Sequence, residues 1–178
     1  APFQPEDVLG IHGVNIAGDK YDGTLMEHNI SPYFGSRVTY QKPTATKPSS
    51  FPRSFIRKLC SPADLILMSR RSALQDLREV QRWVVNKADQ TKIENLLVLI
   101  EDHMAYALFR DIESTKVALS IAEKASFDFS YDDIEIHEPI SRREFEEHSQ
   151  SLTDEVLKSL DTCLEKAQVK HKDVDIDN

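Results

Sequence analysis

The sequence predicts an α/β fold of the α+β kind, a small antiparallel sheet packed with several long helices. Three observations predict it. From Thr91 to Ala122 apolar positions recur at Ile93, Leu97, Ile100, Met104, Leu108, Ile112, Thr115, Leu119 and Ala122, in steps of three and four, with no Gly or Pro between. Two more helical patterns open on capping-box signatures, Ser72 with Gln75 and Ser141 with Glu144. Finally, Ala125–Tyr131 and Ile134–Ile136 alternate with period two around Asp132-Asp133, the signature of a hairpin.

Composition sets the bounds. A chain of 178 residues with 40% apolar and 29% charged residues is an ordinary globular protein able to bury a core. No run approaches the 18 or so apolar residues of a membrane span. Cys60 and Cys163 lie far apart without metal-type spacing and read as reduced thiols of a cytoplasmic protein, a disulfide being the alternative. The net charge of −8 speaks against nucleic acid as the main partner. Charge is uneven, however. Between Arg37 and Arg71 eight Lys and Arg face the single Asp64, and from Glu101 onward 20 acidic residues face nine basic ones. The basic segment is either a solvated loop or a surface for an anionic partner.

In chain order, Val8-Leu9-Gly10-Ile11 with Val14 and Ile16 reads as a short buried strand. Ala17-Gly18-Asp19 then turns into a helix from about Lys20 to Tyr33, with Asp19 as candidate N-cap and Tyr21, Leu25 and Ile30 inward. Gly18 permits close backbone approach, and the adjoining helix N-terminus favours an anion; a purely structural turn is the other reading. Pro43, Pro48, Pro52 and Pro62 exclude a continuous helix from Gly35 to Pro62, so Gln41–Phe51 is expected to be an extended surface loop. Arg53–Leu59 is expected to be a short helix, and Ser61-Pro62 a turn. The helix opened by Ser72 should span about Ala73 to Ala88, with Leu74, Leu77, Val80 and Val84 inward and Trp83 as a core or interface anchor. Thr91 with Glu94 caps the long helix, after a turn at Asp89-Gln90. The acidic cluster Asp128, Asp132, Asp133 and Glu135 lacks the glycine and ligand intervals of a Ca2+ loop and reads as a solvated hairpin. The last helix should run to about Ala167, burying Phe145, Leu152, Val156, Leu160, Cys163 and Leu164, with His148 at the border of that face. Val174–Asp177 begins a further strand-like alternation.

Self-contained chemistry is sparse. The chain has no G-x-x-x-x-G-K-S/T, G-x-S-x-G, H-E-x-x-H or paired C-x-x-C motif, and none of its six histidines has metal-ligand spacing. What stands out is a stripe on the long helix: Glu113, Lys116, Val117 and Ser120, at i, i+3, i+4 and i+7, project within one sector. As residues alone they read as a solvated face, with Glu113 and Lys116 as a surface ion pair, the site being the other reading.

Three segments, in order, resemble the DnaK-type (seventy-kilodalton heat-shock) chaperone ATPases, most closely the YegD-like branch. Leu9-Gly10-Ile11-His12 through Ala17-Gly18-Asp19-Lys20-Tyr21-Asp22 is similar to the family's strand leading into a Gly-Gly-acid-x-aromatic-Asp helix start. Glu113-Ser114-Thr115-Lys116-Val117-Ala118-Leu119-Ser120 is similar to its E-x-x-K-x-x-L-S adenosine motif. Ile140-Ser141-Arg142-Arg143-Glu144-Phe145-Glu146 is similar to its I-S/T-R-x-x-F-E helix start.

The resemblance implies an excised fragment of the second lobe of an actin-like nucleotide-binding domain. Residues 17–140 would form the upper nucleoside-binding subdomain, with a Pro-rich insertion at about 35–63, and residues 1–16 and 141–178 parts of the adjoining lower subdomain. It implies adenosine of ATP or ADP as ligand: Glu113 and Lys116 on the ribose hydroxyls, Ser120 on the adenine edge, Gly18 against the nucleoside. Val117 replaces the family's adenine-stacking Arg, which weakens the expected base contact. Phosphate loops and Mg2+ ligands belong to other parts of such a domain and have no counterpart in this chain, so no ATP hydrolysis by these residues alone is expected. Two other functions are implied or open: a protein-interaction module for an exchange factor or co-chaperone, and an anion or nucleic-acid adaptor using residues 37–71.

Overall fold

The computed structural model describes Gln4 and residues 8–174. Among the described residues it is an α+β fold of seven α-helices and two two-stranded antiparallel sheets. Two compact units are distinguished, Gly18–His148 and a smaller one made of Ala1–Ala17 with Ser149–Asn178.

The larger unit opens with α1, Gly18–Leu25, which continues as a π-helical turn, Met26–Ile30, and a 3-10 turn, Ser31–Phe34. Because α1 already includes Gly18, Asp19 stands in its first turn, where its charge suits the helix dipole, rather than at the N-cap. The chain leaves this helical run through Gly35 at φ 83°, the left-handed conformation that glycine adopts without steric cost. Met26, Ile30 and Phe34 are fully buried, and Leu25 is almost so.

The Pro-rich stretch is tied down at both ends. Strands β1, Thr39–Tyr40, and β2, Ser49–Ser50, pair Thr39 with Ser50 and Tyr40 with Ser49, so the expected loop is the connection of a small hairpin. Its flanks, Val38 and Phe51, are buried. Helix α2 spans Arg53–Leu59, as the sequence predicts. Instead of a turn, Ser61-Pro62 starts α3, Pro62–Leu67, with the Ser61 hydroxyl accepting from the Asp64 amide and Pro62 at the position where its missing N–H costs nothing.

Helix α4, Arg71–Arg82, is shorter than expected and its N-cap is Arg70, so Ser72 lies inside the helix and does not cap it. Ala73, Leu77 and Val80 are buried. The helix stops at Trp83 because the next residues are used as strand: Val84 bridges Tyr40, the Gln41 amide donates to the Trp83 carbonyl and the Val85 amide to that of Thr39.

The expected continuous helix over Thr91–Ala122 is two helices, α5, Gln90–Glu101, and α6, Ala105–Ile121. At the break His103 has φ 58°, its amide donates to Ile100 and that of Met104 to Leu99. These two bonds are the Schellman arrangement, which closes a helix by satisfying its last carbonyls. Thr91 is within α5, whose N-cap is Asp89, so the Thr91–Glu94 box is not formed. Helix α5 buries Ile93, Leu96, Leu97, Leu99 and Ile100, a face too wide for a surface helix. Against α6 packs the hairpin β3, Lys124–Tyr131, and β4, Ile134–Ser141, in register from Lys124 opposite Ser141 to Tyr131 opposite Ile134. Asp132, at φ 50°, makes its two-residue turn. Phe127, Phe129, Ile134, Ile136 and Ile140 form its buried face.

Helix α7, Arg142–Ala167, carries its first turns in the larger unit. Here Ser141 caps the helix: the Glu144 amide donates to Ser141 Oγ at 3.2 Å, while the Glu144 carboxylate meets the Ser141 hydroxyl at 3.4 Å, so only the serine half of the capping box is made. In the smaller unit, residues 8–17 run beside α7 as coil. The expected strand is absent because no second strand pairs with it among the described residues, and Leu9 and Ile11 are exposed. Gly10 passes so close to the helix that a β-carbon there would sit 2.8 Å from the Cys163 carbonyl. The expected buried stripe of α7 is likewise not buried: Val156 and Leu160 are 37% and 47% exposed, since the coil covers only part of the helix. Helix α7 ends on a second Schellman arrangement, with Gln168 at φ 56° and Val169 donating to Leu164. Of the alternation begun by Val174, residues 175–178 lie outside the described residues.

Candidate functional site

Of the sequence-selected residues, Glu113, Val117 and Ser120 are on the solvent side of α6, and Lys116 is half-buried between that side and the face formed by Ile112, Thr115 and Leu119. Gly18 is the first residue of α1, and Lys116 joins the two helices: its Nζ donates to the Gly18 carbonyl at 3.2 Å and lies 2.8 Å from Asp22 Oδ1. The ammonium is held at the start of α1, only 21% of its side chain exposed. Among the described residues it forms no ion pair with Glu113. The helical i, i+3 pair that spacing alone allowed is therefore not made, because the better-shielded carboxylate of Asp22 takes the cation.

Asp22 is the residue that sequence reasoning passed over as a site member. Its Oδ1 is buried, and the Lys116 ammonium 2.8 Å away is the cation that faces it. Burial pushes its carboxyl above the usual carboxylate range; Lys116 pulls it down, and the charges of Glu113 and Asp19 push it up again. Its position four residues after Gly18, on the same helical face, was the available signal.

Beside this clamp is a cavity of about 230 Å³ lined by Tyr21, Lys116, Leu119, Ser120, Arg142, Phe145 and Glu146. Tyr21 and Phe145 meet edge to face with ring centres 6.3 Å apart. Arg142 Nε donates to the Leu119 carbonyl at 2.7 Å, which fixes the guanidinium against the end of α6. The Ser120 hydroxyl donates to the Val117 carbonyl at 2.7 Å, leaving its oxygen to accept. Lys116 and Ser120 thus share one cavity, and Gly18 joins it through Lys116. Glu113 and Val117 are exposed and do not line it; Val117 lies one turn before the still more exposed Ile121, an apolar pair open to solvent.

Chemically, the arrangement offers a shielded cation, a hydroxyl acceptor, a fixed guanidinium and aromatic walls. Such groups suit a partner that carries hydroxyl and polar ring groups. The volume falls below the roughly 300–1,000 Å³ usual for whole ligands, so the cavity has room for only a part of one. Among the described residues no group of three His, Cys, Asp or Glu could hold a metal ion. Ser126, His137 and Asp128 cluster on the hairpin, but both the serine and the carboxylate engage the same ring nitrogen, Nδ1, so no proton relay runs through the imidazole.

Among the described residues no helix is long and apolar enough to cross a membrane. No known family model matches the chain, and no curated protein matches it either.

Proposed function

We propose that residues 18–148 are the nucleoside-contacting subdomain of a heat-shock-type chaperone ATPase, binding the adenosine part of ATP or ADP and moving with the nucleotide cycle. The observation that carries this reading is the meeting of Lys116 and Ser120 in one cavity, with Lys116 anchored on Gly18. Those are three of the five residues that the resemblance assigns to the nucleoside. Lys116 has one N–H left for a ribose hydroxyl, and Ser120 has an acceptor for an amino group; Val117, in place of the family's stacking cation, is exposed outside the cavity lining. Hydrolysis is not assigned to these residues.

Titration with ADP, followed on backbone amide signals, tests it. Shifts should centre on Gly18, Glu113, Lys116 and Ser120 and saturate at millimolar ADP; Lys116→Met should abolish them. Shifts confined to residues 37–71, or none, would sink the reading.

One observation favours the partner-binding alternative. Lys42 and Pro43 of the Pro-rich connection line a cavity of about 340 Å³ with Arg82 and Trp83, and the Arg82 guanidinium lies 5.3 Å from the Trp83 ring centre. A half-exposed aromatic under a cation is a common anchor for a protein partner.

A further inference from the structure

A second cavity of the larger unit, about 380 Å³, shares no lining residue with the one beside Lys116. It is large enough for a small whole ligand. Its lining includes Asn29, Arg37, Lys92, Glu138 and Glu144. Asn29 belongs to the π-helical turn Met26–Ile30, a distortion frequent at functional sites. It is only 8% exposed, yet its side-chain amide has no hydrogen-bond partner among the described residues. The amide is thus unengaged by the protein yet reachable from the cavity, where a polar atom of a ligand can pair with it.

The four charges are the second observation. Each is held by a neighbour of its own. Arg37 Nη2 donates to the His28 carbonyl at 2.9 Å, and Lys92 Nζ lies 2.7 Å from Asp89. Glu138 accepts from the Tyr33 hydroxyl at 2.6 Å, and Glu144 is engaged by Ser141. Among the described residues neither cation forms an ion pair with either carboxylate. Two positive and two negative groups therefore face one space without neutralising each other directly. His28, stacked on His148 with ring centres 4.0 Å apart and planes 12° from parallel, adds a flat wall. Burial, helped by the nearby His148 and Arg37 and opposed by Glu27, holds its imidazole below the usual range, so it adds no charge at neutral pH.

We propose that this cavity binds a small zwitterion of the amino-acid class, its carboxylate toward Arg37 and Lys92, its ammonium toward Glu138 and Glu144, and a polar atom on the Asn29 amide. A phosphate dianion would meet two carboxylates, and a lone amine would leave both cations unanswered. A metal ion would need a ligand cluster that is absent among the described residues.

L-alanine, with propionate and ethylamine as its two halves, tests the assignment in millimolar titrations followed on amide signals. L-alanine should shift Asn29, Arg37 and Glu138 saturably, with each half-ligand binding at least about tenfold more weakly. Asn29→Leu and Arg37→Gln should each weaken L-alanine about tenfold. Arg37 is exposed, so Arg37→Gln keeps the fold and decides the matter should Asn29→Leu fail to fold. Propionate binding as well as L-alanine, no response to L-alanine, or unchanged affinity in Arg37→Gln would each overturn the proposal.

Discussion

The clamp between α1 and α6 makes an asymmetric prediction. Two unit charges 2.8 Å apart attract by about 6 kcal/mol at an effective dielectric of about 20. Desolvating both groups removes most of that, as the upward displacement of the Asp22 carboxyl records. A net coupling of about 1–2 kcal/mol is left. Lys116→Met strands Asp22 beside Glu113 and Asp19 and should cost about 2–3 kcal/mol, toward the lower end for a broken buried pair. Asp22→Asn should cost only about 0.5–1 kcal/mol, because the long lysine stem lets its ammonium swing into water. Urea unfolding of wild type, both single variants and the double variant closes the cycle, read on amide signals of residues 18–148 so that the larger unit is followed by itself. A coupling below about 0.3 kcal/mol, or Lys116→Met milder than Asp22→Asn, would refute the reasoning.

Three further outcomes follow from local geometry. Gly35→Ala must place a β-carbon in left-handed backbone and 2.3 Å from Cδ1 of the fully buried Ile93; about 1–2 kcal/mol of conformational cost plus about 1–3 of overpacking should lower the melting temperature clearly, whereas Gly13→Ala, with nothing within 4 Å, should not. Burial pushes the Cys60 thiol up to about 12, so iodoacetamide at pH 8 should modify it roughly a thousandfold more slowly than an ordinary thiol, as mass spectrometry of the labelled peptide would show. The Tyr33 hydroxyl, bonded to Glu138, titrates at about 12 instead of 10.0; its stabilising effect should be complete below pH 10 and disappear as pH rises through 12, and Tyr33→Phe should lose about 1 kcal/mol at neutral pH, by ultraviolet titration and unfolding respectively.

Helix identity was legible where burial repeats with the helical period, and so were the hairpin at Asp132-Asp133 and the Ser141–Glu144 cap. Helix ends were not. At His103 and Gln168 the left-handed residue that closes the helix is not glycine, and its cost is met by the carbonyls it satisfies, so no sequence sign marks either stop. Ser72–Gln75 and Thr91–Glu94 have the right letters one or two residues inside helices that begin earlier, on Arg70 and Asp89. The apolar stripe of α7 predicts a covering partner, and residues 8–17 provide only part of one. At the site, the stripe on α6 could be read from spacing. Its tie to Asp22 could not, since that contact spans almost a hundred residues and depends on how α1 crosses α6.

That tie bears on the proposed nucleoside site. Lys116 is already engaged by a carbonyl and a carboxylate, so a ribose that takes the ammonium must share it with Asp22 or draw it away. Drawing it away removes what lowers the Asp22 carboxyl and leaves burial, Glu113 and Asp19 to push it higher. The bound state then has the higher pKa, binding takes up a proton, and affinity for ADP should rise as pH falls toward the Asp22 titration. Sharing predicts no such dependence. Calorimetry of ADP binding in two buffers of different ionisation heat separates the cases, and Asp22→Asn should abolish any proton uptake. Uptake that survives in Asp22→Asn would mean that another group carries it, and that Lys116 is no link between the nucleoside and α1.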